Sequence, residues 1–536
     1  MAQKQNSGFL LQATILATAG LIVRFVGFLY RIPMQNILMD EGTGVYGQAY
    51  NVYLLFFVIS SAGIPAAVSK MVAARVALNE YHNAHTVFKA AMLFSGSLGF
   101  ISMCILFFGA DYFAVLFNSV HVAYSIQALA PTVFIVTMLA AYRGYFQGLG
   151  NAVPTAVSQV VEQLINAIAT IVLVYILIDE GIAMASAGGT AGTGIGAVFG
   201  LVVMAYIYYL GRGRIKRNIR KNKGMQKEPF GKIIVELIKT TVPIIAGTSI
   251  FGITNIIDMQ MAMNILQYTG HTYMEALRLF GQFSGKYVVI TTLPVSIAMA
   301  MSTALIPSLS GSTAVGDTQN TKNKIDMALR MTILITMPAA VGIGVMADQI
   351  LLFLFPNNPD GGVLLQVGAA SILFMSLYQI GTGVLQGMGK LMVPIIAATI
   401  GATIKIAVNF FLLSSPEINI LALVISTTIC YAIASVINLS VVYRSAKLKL
   451  QLGTVFVKPL ICAIVMGMVC YVAYFAAFFV TGMNSVSLLV AISLSIFSYF
   501  TSMIMIRGIT QRDLIVFPSG EKIMRLLDRL GVSYKD

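Results

Sequence analysis

Residues 126–151 read "IQALAPTVFIVTMLAAYRGYFQGLGN", and residues 365–390 read "LQVGAASILFMSLYQIGTGVLQGMGK". The two align without a gap at a spacing of 239 residues. Gln127 falls on Gln366, Gly144 on Gly383 and "QGLG" on "QGMG", and a proline follows each, Pro154 and Pro394. A fainter pair joins "YGQAYNVYLLFF…GIPAAVS", from Tyr46, to "FGQFSGKYVVITTLP…LIPSLS", from Phe280. Locally the "QG" glycines read as helix ends. The shared register over the whole stretch reads as an internal repeat, and each copy is apolar over a length that crosses a bilayer as a helix.

Outward from this pair, apolar runs of about 20 residues recur along the chain. They predict fourteen spans near 10–32, 45–68, 86–109, 123–146, 153–178, 185–211, 233–263, 281–308, 327–355, 363–387, 391–414, 419–443, 456–480 and 484–506. The 536 residues are 58% hydrophobic and only 10% charged, which excludes an ordinary soluble domain. The first run is too long for a secretory signal, carries Arg24 and precedes no small-residue cleavage site. The expected fold class is an all-α polytopic membrane protein with fourteen transmembrane helices, two six-helix lobes in pseudo-two-fold repeat plus two C-terminal helices. Its parts are an N-terminal lobe (1–211), a basic cytoplasmic linker (212–232), a C-terminal lobe (233–450), spans 13 and 14 (451–507) and an amphipathic cytoplasmic tail (508–536). Lobes with an even number of spans run in the same sense. Such parallel repeats are a transporter architecture with a cavity at their interface, exposed to each side in turn by rocking.

The net charge of +14 lies in the connections and not on one folded face, so it reads as membrane topology and not as nucleic-acid binding. Alternate connections carry Lys70, Arg75 and Lys89, then Arg143, then "RGRIKRNIRKNKGMQKEPFGK" over 212–232, then Lys322, Lys324, Lys390, Arg444, Lys447 and Lys449. The others carry Asp40 and Glu41 in "MDEGTG", Asp111, Asp179, Glu180 and Glu417. The positive-inside rule places the first set and both termini in the cytoplasm, as an even span count requires. In the tail, Ile523, Leu526, Leu527 and Leu530 share a face that suits the inner leaflet.

Charges inside the spans are few: Arg24, Glu162, Asp258, Lys286 and Lys405. Each is expected to face a water-filled cavity or a partner, because a charge at mid-bilayer costs on the order of 3 kcal/mol or more. Structural ion pairs are the plain alternative. Arg31, near the outer end of span 1, either snorkels or joins the cavity. Three cations against two acids leave a net positive cavity, suited to a phosphate or diphosphate that planar arginine donors recognise. Candidate substrate-binding residues are therefore Arg24, Arg31, Lys286 and Lys405. Glu162, Asp258, Asn255, Gln147 and Gln386 are candidates for lining the cavity or coupling.

Other motifs carry less. Gly192, Gly196 and Gly200 in "GTGIGAVFG" follow no strand and read as a close helix-packing stripe. Pro65, Pro243, Pro294, Pro307 and Pro338 permit kinks. Cys104, Cys430, Cys462 and Cys470 lack metal-ligand spacing, and His82 and His85 have no further ligand beside them, so no metal and no cofactor is expected. The sequence shows no phosphate-binding ATPase loop and no Ser/His/Asp arrangement, which argues against an ATP-driven pump or an enzyme.

The run from Arg24 to Ala73, "RFVGFLYRIP…GTGVYGQAYNVYLLFFVISSAGIPAAVSKMVA", resembles the prokaryotic polysaccharide flippases of the stage V sporulation protein B type. These group with MurJ-type lipid II flippases in the multidrug/oligosaccharidyl-lipid/polysaccharide exporter superfamily. The resemblance covers essentially the full chain. It implies a flippase that carries polyprenyl-diphosphate-linked cell-wall precursor, lipid II above all, from the inner to the outer leaflet of the cytoplasmic membrane. It also implies a central basic cavity for diphosphate and sugar, and a groove at spans 13 and 14 for the lipid tail. The energy source it implies is membrane potential or an ion gradient and not ATP. Implied partners are the lipid-linked saccharide, membrane lipids and cell-wall synthesis proteins. The family's "R-x-x-G-F" matches Arg24, Gly27 and Phe28, but Tyr30 and Arg31 stand where MurJ-type proteins continue with Arg-Asp. The family's span 2 arginine falls near Phe56, and Lys286 lies about one turn from its span 8 arginine. These departures leave a teichoic or capsular precursor open. Two competing functions remain. One is a cation-coupled drug antiporter of the same superfamily, whose first span should carry an acid that is missing here. The second is a scaffold without transport.

Overall fold

The structure is a computed structural model that describes residues 2–221, 227–314, 316–448, 453–506 and 508. The expected amphipathic tail lies outside the described residues apart from Gly508. Among the described residues every regular element is a helix. Seventeen α-helices follow in chain order: α1 (Ala2–Phe57), α2 (Ile64–Ala77), α3 (Tyr81–Phe108), α4 (Ala110–Leu116), α5 (Ala123–Gly148), α6 (Val153–Leu177), α7 (Ile182–Lys221), α8 (Phe230–Tyr268), α9 (Tyr273–Gly281), α10 (Val288–Ala314), α11 (Thr318–Val345), α12 (Ala347–Leu354), α13 (Gly362–Gly387), α14 (Met392–Leu413), α15 (Leu421–Ala446), α16 (Lys458–Thr481) and α17 (Asn484–Met505). Short π-helical turns join α1 to α2 (Val58–Ala62) and α9 to α10 (Gln282–Tyr287).

The sequence repeat reappears as helix boundaries. Both ends of α13 lie 239 residues after those of α5. The starts of α14 and α15 follow those of α6 and α7 by the same interval. The second glycines of "QGLG" and "QGMG" close the first pair identically, with Gly150 at φ 76° and Gly389 at φ 77°. In the first copy the N–H of Gly150 donates to Gln147 O and that of Asn151 to Phe146 O; in the second, Gly389 donates to Gln386 O and Lys390 to Leu385 O. This is a Schellman end, which needs a left-handed residue that only glycine adopts without penalty.

Twelve helical stretches among the described residues are long and apolar enough to cross a membrane. The first of these, Thr18–Ala77, is 60 residues long. At 1.5 Å per residue that is far more than one bilayer. Its helix bends at Met39 (φ 55°, ψ −171°), so it holds two spans without a loop between them. The "MDEGTG" connection is therefore not an exposed loop: Asp40 is 0% exposed. The start of α9 lies 234 residues after this bend, matching the offset of the fainter repeat. The linker at 212–232 is likewise partly helical, since α7 runs to Lys221 and α8 starts at Phe230.

By contacts the chain divides into two compact units, 1–290 with 402–423, and 291–401 with 424–536. The boundary passes within α10, α14 and α15. Within the first unit, four ion pairs tie α8 to α2, the start of the eighth span to α1, and α14 to α8. Arg75 on α2 donates to Glu228 (2.6 Å) and Glu236 (2.9 Å), Lys286 meets Asp40, and Lys405 meets Asp258.

In the first unit, Val68, Val72, Ala84, Val87, Tyr145, Ile233 and Leu237 form one apolar core. Tyr30, Met34, Leu38, Tyr46 and Val174 form another. In the second, Leu309, Leu329, Leu377, Val384, Ala463 and Tyr499 bring α16 and α17 onto α11 and α13. Large apolar side chains such as Phe479, 93% exposed, and Phe497, 71% exposed, remain for lipid.

The glycine stripe of α7 packs against α6 as its spacing predicts. A Cβ at Gly196 would lie 2.5 Å from the backbone oxygen of Glu162, and one at Gly200 would lie 3.2 Å from the Glu162 side chain. Gly211 farther along α7 meets nothing within 4 Å. Gly196→Ala is expected to cost about 1–3 kcal/mol through overpacking. Gly211→Ala should be neutral or slightly stabilising. Thermal unfolding of the purified protein in detergent checks the contrast, and equal midpoints for the two variants would remove the packing role of the stripe.

Candidate functional site

The site grows from helical periodicity on four neighbouring helices of the first unit. On α6, Gln159, Glu162, Gln163 and Asn166 fall at i, i+3, i+4 and i+7 and share one face. On α5, Val136, Ala140, Arg143 and Gln147 repeat at intervals of three to four. On the second arm of α1, Tyr50, Tyr53 and Phe57 do the same, and Thr193 comes from α7. Together these residues line a cavity of about 380 Å³.

Two of its groups are charged. Arg143 donates from Nη2 to Glu162 Oε2 at 2.5 Å and from Nε to Ser158 Oγ at 3.2 Å. The sequence reading placed Arg143 in a connection; the structure places it in the cavity wall on α5, where it neutralises Glu162. The aromatic face continues beyond the cavity. Tyr46 and Tyr50 stack at 5.7 Å, Tyr50 and Tyr53 lie 5.5 Å apart, and Tyr53 and Phe57 lie 5.9 Å apart.

The first arm of α1 runs beside this wall. Arg24, Gly27 and Arg31 lie at i, i+3 and i+7 on one face. A Cβ at Gly27 would sit 3.3 Å from Gln163 Nε2. The Arg31 guanidinium lies over the Tyr50 ring, 5.7 Å from its centroid, a cation–π arrangement. Arg24 is exposed and Arg31 half-buried. Glu162 and Gln147 thus line the cavity, Arg31 reaches its wall through Tyr50, and Arg24 lies two turns before Arg31 on the same helix face.

The other candidates are elsewhere. Lys286 is 1% exposed and Asp40 0%, and their ion pair is two-pronged, at 2.8 Å to Oδ1 and 3.0 Å to Oδ2. Gln35 Nε2 supports it at 3.3 Å from Oδ1. Lys286, a candidate for substrate binding, has its charge met here by Asp40, since a buried ammonium needs an anionic partner. Lys405 likewise donates to Asp258 Oδ2, and Asn409 Nδ2 donates to Asp258 Oδ1 at 2.7 Å. This buried group on α8 and α14 closes on itself. Asn255, one turn before Asp258 on α8, is exposed. Gln386 is exposed at the end of α13, in the second unit. No group of three or more metal-ligating side chains occurs among the described residues. All four cysteines are free.

A helical membrane chain with an internal repeat and a polar cavity within its spans has the architecture of a transporter. The chain belongs to the polysaccharide biosynthesis protein family, whose sequence profile matches residues 9–313. Residues 243–411 also match the MatE family. The lipid II flippase MurJ of Bacillus subtilis (strain 168) is 27% identical over 424 residues, covering 75% of this chain and 77% of that one. Stage V sporulation protein B of the same organism is 23% identical, covering 77% and 79%. A solved structure of a lipid II flippase MurJ in an inward closed conformation superposes with a TM-score of 0.69 at 15% identity, over 94% of this chain and all of that one. The same fold recurs in an inward-facing multidrug resistance MATE family transporter, which superposes with a TM-score of 0.65 at 14% identity over 80% of this chain and 98% of that one.

Proposed function

We propose that the protein is a flippase for a polyprenyl-diphosphate-linked saccharide, with lipid II the leading substrate. It carries this lipid from the inner to the outer leaflet by alternating access, with both termini in the cytoplasm. The observation that carries the reading is the face of α1 bearing Arg24 and Arg31, which meets the cavity through Gln163 and Tyr50. Membrane-embedded arginines beside a polar cavity fit an anionic headgroup on an apolar tail. Family membership supports a substrate of polysaccharide biosynthesis. Arg24 and Arg31 hold the diphosphate, and membrane potential or an ion gradient resets the cycle.

The test is depletion of the protein together with any paralogue. Lipid II is then expected to accumulate in the inner leaflet and to disappear from the outer one, measured by leaflet-selective labelling in intact cells. Normal outer-leaflet lipid II overturns the assignment of this substrate.

A further inference from the structure

We propose that the cavity among α1, α5, α6 and α7 is a carbohydrate subsite, which takes the first sugar of the lipid-linked substrate and leaves the diphosphate to the arginines of α1. The inference rests on the flippase reading above and divides the substrate between two chemistries.

The wall of the cavity suits a sugar and not a phosphate. Gln147, Gln159, Gln163 and Asn166 each carry an amide that both donates and accepts. Sugar hydroxyls and N-acetyl groups do the same, so the two sets match. A diphosphate only accepts, and it requires net positive charge. The charged pair in this wall supplies none: Arg143 is held at 2.5 Å by Glu162, and the acid would oppose an entering phosphate.

Three further features agree. The volume of about 380 Å³ lies in the range of small-ligand pockets, about 300–1,000 Å³. The Tyr50, Tyr53 and Phe57 rings give one apolar side, on which the C–H face of a pyranose can lie. Opposite amide groups, such a surface binds a ring that is apolar on its faces and polar at its edge. Finally, the Thr193 hydroxyl oxygen is buried and has no hydrogen-bond partner. An unpartnered buried hydroxyl is costly, and a ligand hydroxyl would satisfy it.

Tyr50 links the two halves of the substrate. Its ring lines the cavity and also carries the Arg31 guanidinium. A diphosphate on Arg31 therefore sits within one side chain of the sugar pocket. The covalent sugar–phosphate linkage of the substrate demands that closeness.

The test uses the full-length protein in lipid nanodiscs, titrated separately with undecaprenyl diphosphate and with lipid II. The wild type is expected to bind lipid II at least about tenfold more tightly, since one or two well-placed buried hydrogen bonds carry that much. Gln159→Leu and Gln163→Leu should each remove most of this preference and leave undecaprenyl diphosphate affinity unchanged. Thr193→Val is the control against misfolding. It removes a hydroxyl with no partner in the protein, so thermal stability should hold while lipid II affinity falls severalfold. Equal wild-type affinity for the two lipids overturns the subsite and leaves the flippase standing. Variants that weaken both lipids equally also overturn it. Binding of neither lipid by the wild type overturns the flippase reading, and the subsite with it.

Discussion

Arg24→Ala is expected to abolish transport while leaving insertion and folding intact. Arg24 is an exposed side chain on a membrane-embedded helix face, and Arg31 lies two turns farther along that face. Exposure separates it from Lys286 and Lys405, whose charges are enclosed and matched by Asp40 and Asp258. Its side chain reaches the surface of the protein, so the folding cost of losing it should be small. The functional cost should be large. A guanidinium–phosphate contact in a poorly hydrated site is charge-assisted and two-pronged. Removing one charged partner from such a contact costs about 2–5 kcal/mol, or roughly 30-fold or more in rate. Arg24→Lys keeps the charge but loses the planar fork, so it should recover part of the rate. The measurement is lipid II translocation in proteoliposomes, normalised to inserted protein. Wild-type rates in Arg24→Ala would remove the diphosphate role from this residue.

The sequence carried the fold further than it carried the site, and particular residues show why. Span lengths and the 239-residue repeat are local patterns, and they reappear as the matched ends of α5 and α13. The glycine stripe at Gly192, Gly196 and Gly200 was legible for the same reason: its spacing alone places it on one helix face. The ion pairs were not legible. Asp40 stands before Glu41 and "GTG", a composition that signals a turn, whereas the chain only bends there and continues as helix. Its partner Lys286 is 246 residues away, and nothing local couples the two. Arg143 lies near the end of α5, where a basic residue reads as a topology marker. Only the packing of α6 beside α5 shows that Glu162 reaches it. Partners of buried charges are tertiary facts. Reading the charged residues one by one therefore gave a sign for the cavity without revealing which cations were already neutralised.

The largest stability effect is expected at that distant pair. Asp40→Asn leaves the Lys286 ammonium enclosed without an anion, and Lys286→Met leaves the Asp40 carboxylate without a cation. Both side chains are essentially inaccessible, at 0% and 1% exposure, so solvent cannot relieve either loss. Breaking a buried pair from one side costs about 3–5 kcal/mol, whereas replacing both members with neutral groups of similar size is often near neutral. Each single variant should therefore lower the thermal midpoint sharply, and the double variant Asp40→Asn, Lys286→Met should recover most of it. The surroundings favour a clean readout. A Cβ at Gly47 would lie 2.6 Å from Ser284 Oγ, and one at Gly285 would lie 2.6 Å from Gln35 Oε1, so the helices are held together by close packing as well as by charge. That packing can keep α1 and the eighth span in register once both charges are gone. Additive losses in the double variant would mean that the two groups act independently. A coupling of several kcal/mol would show that this ion pair fixes the bend of α1 against the eighth span.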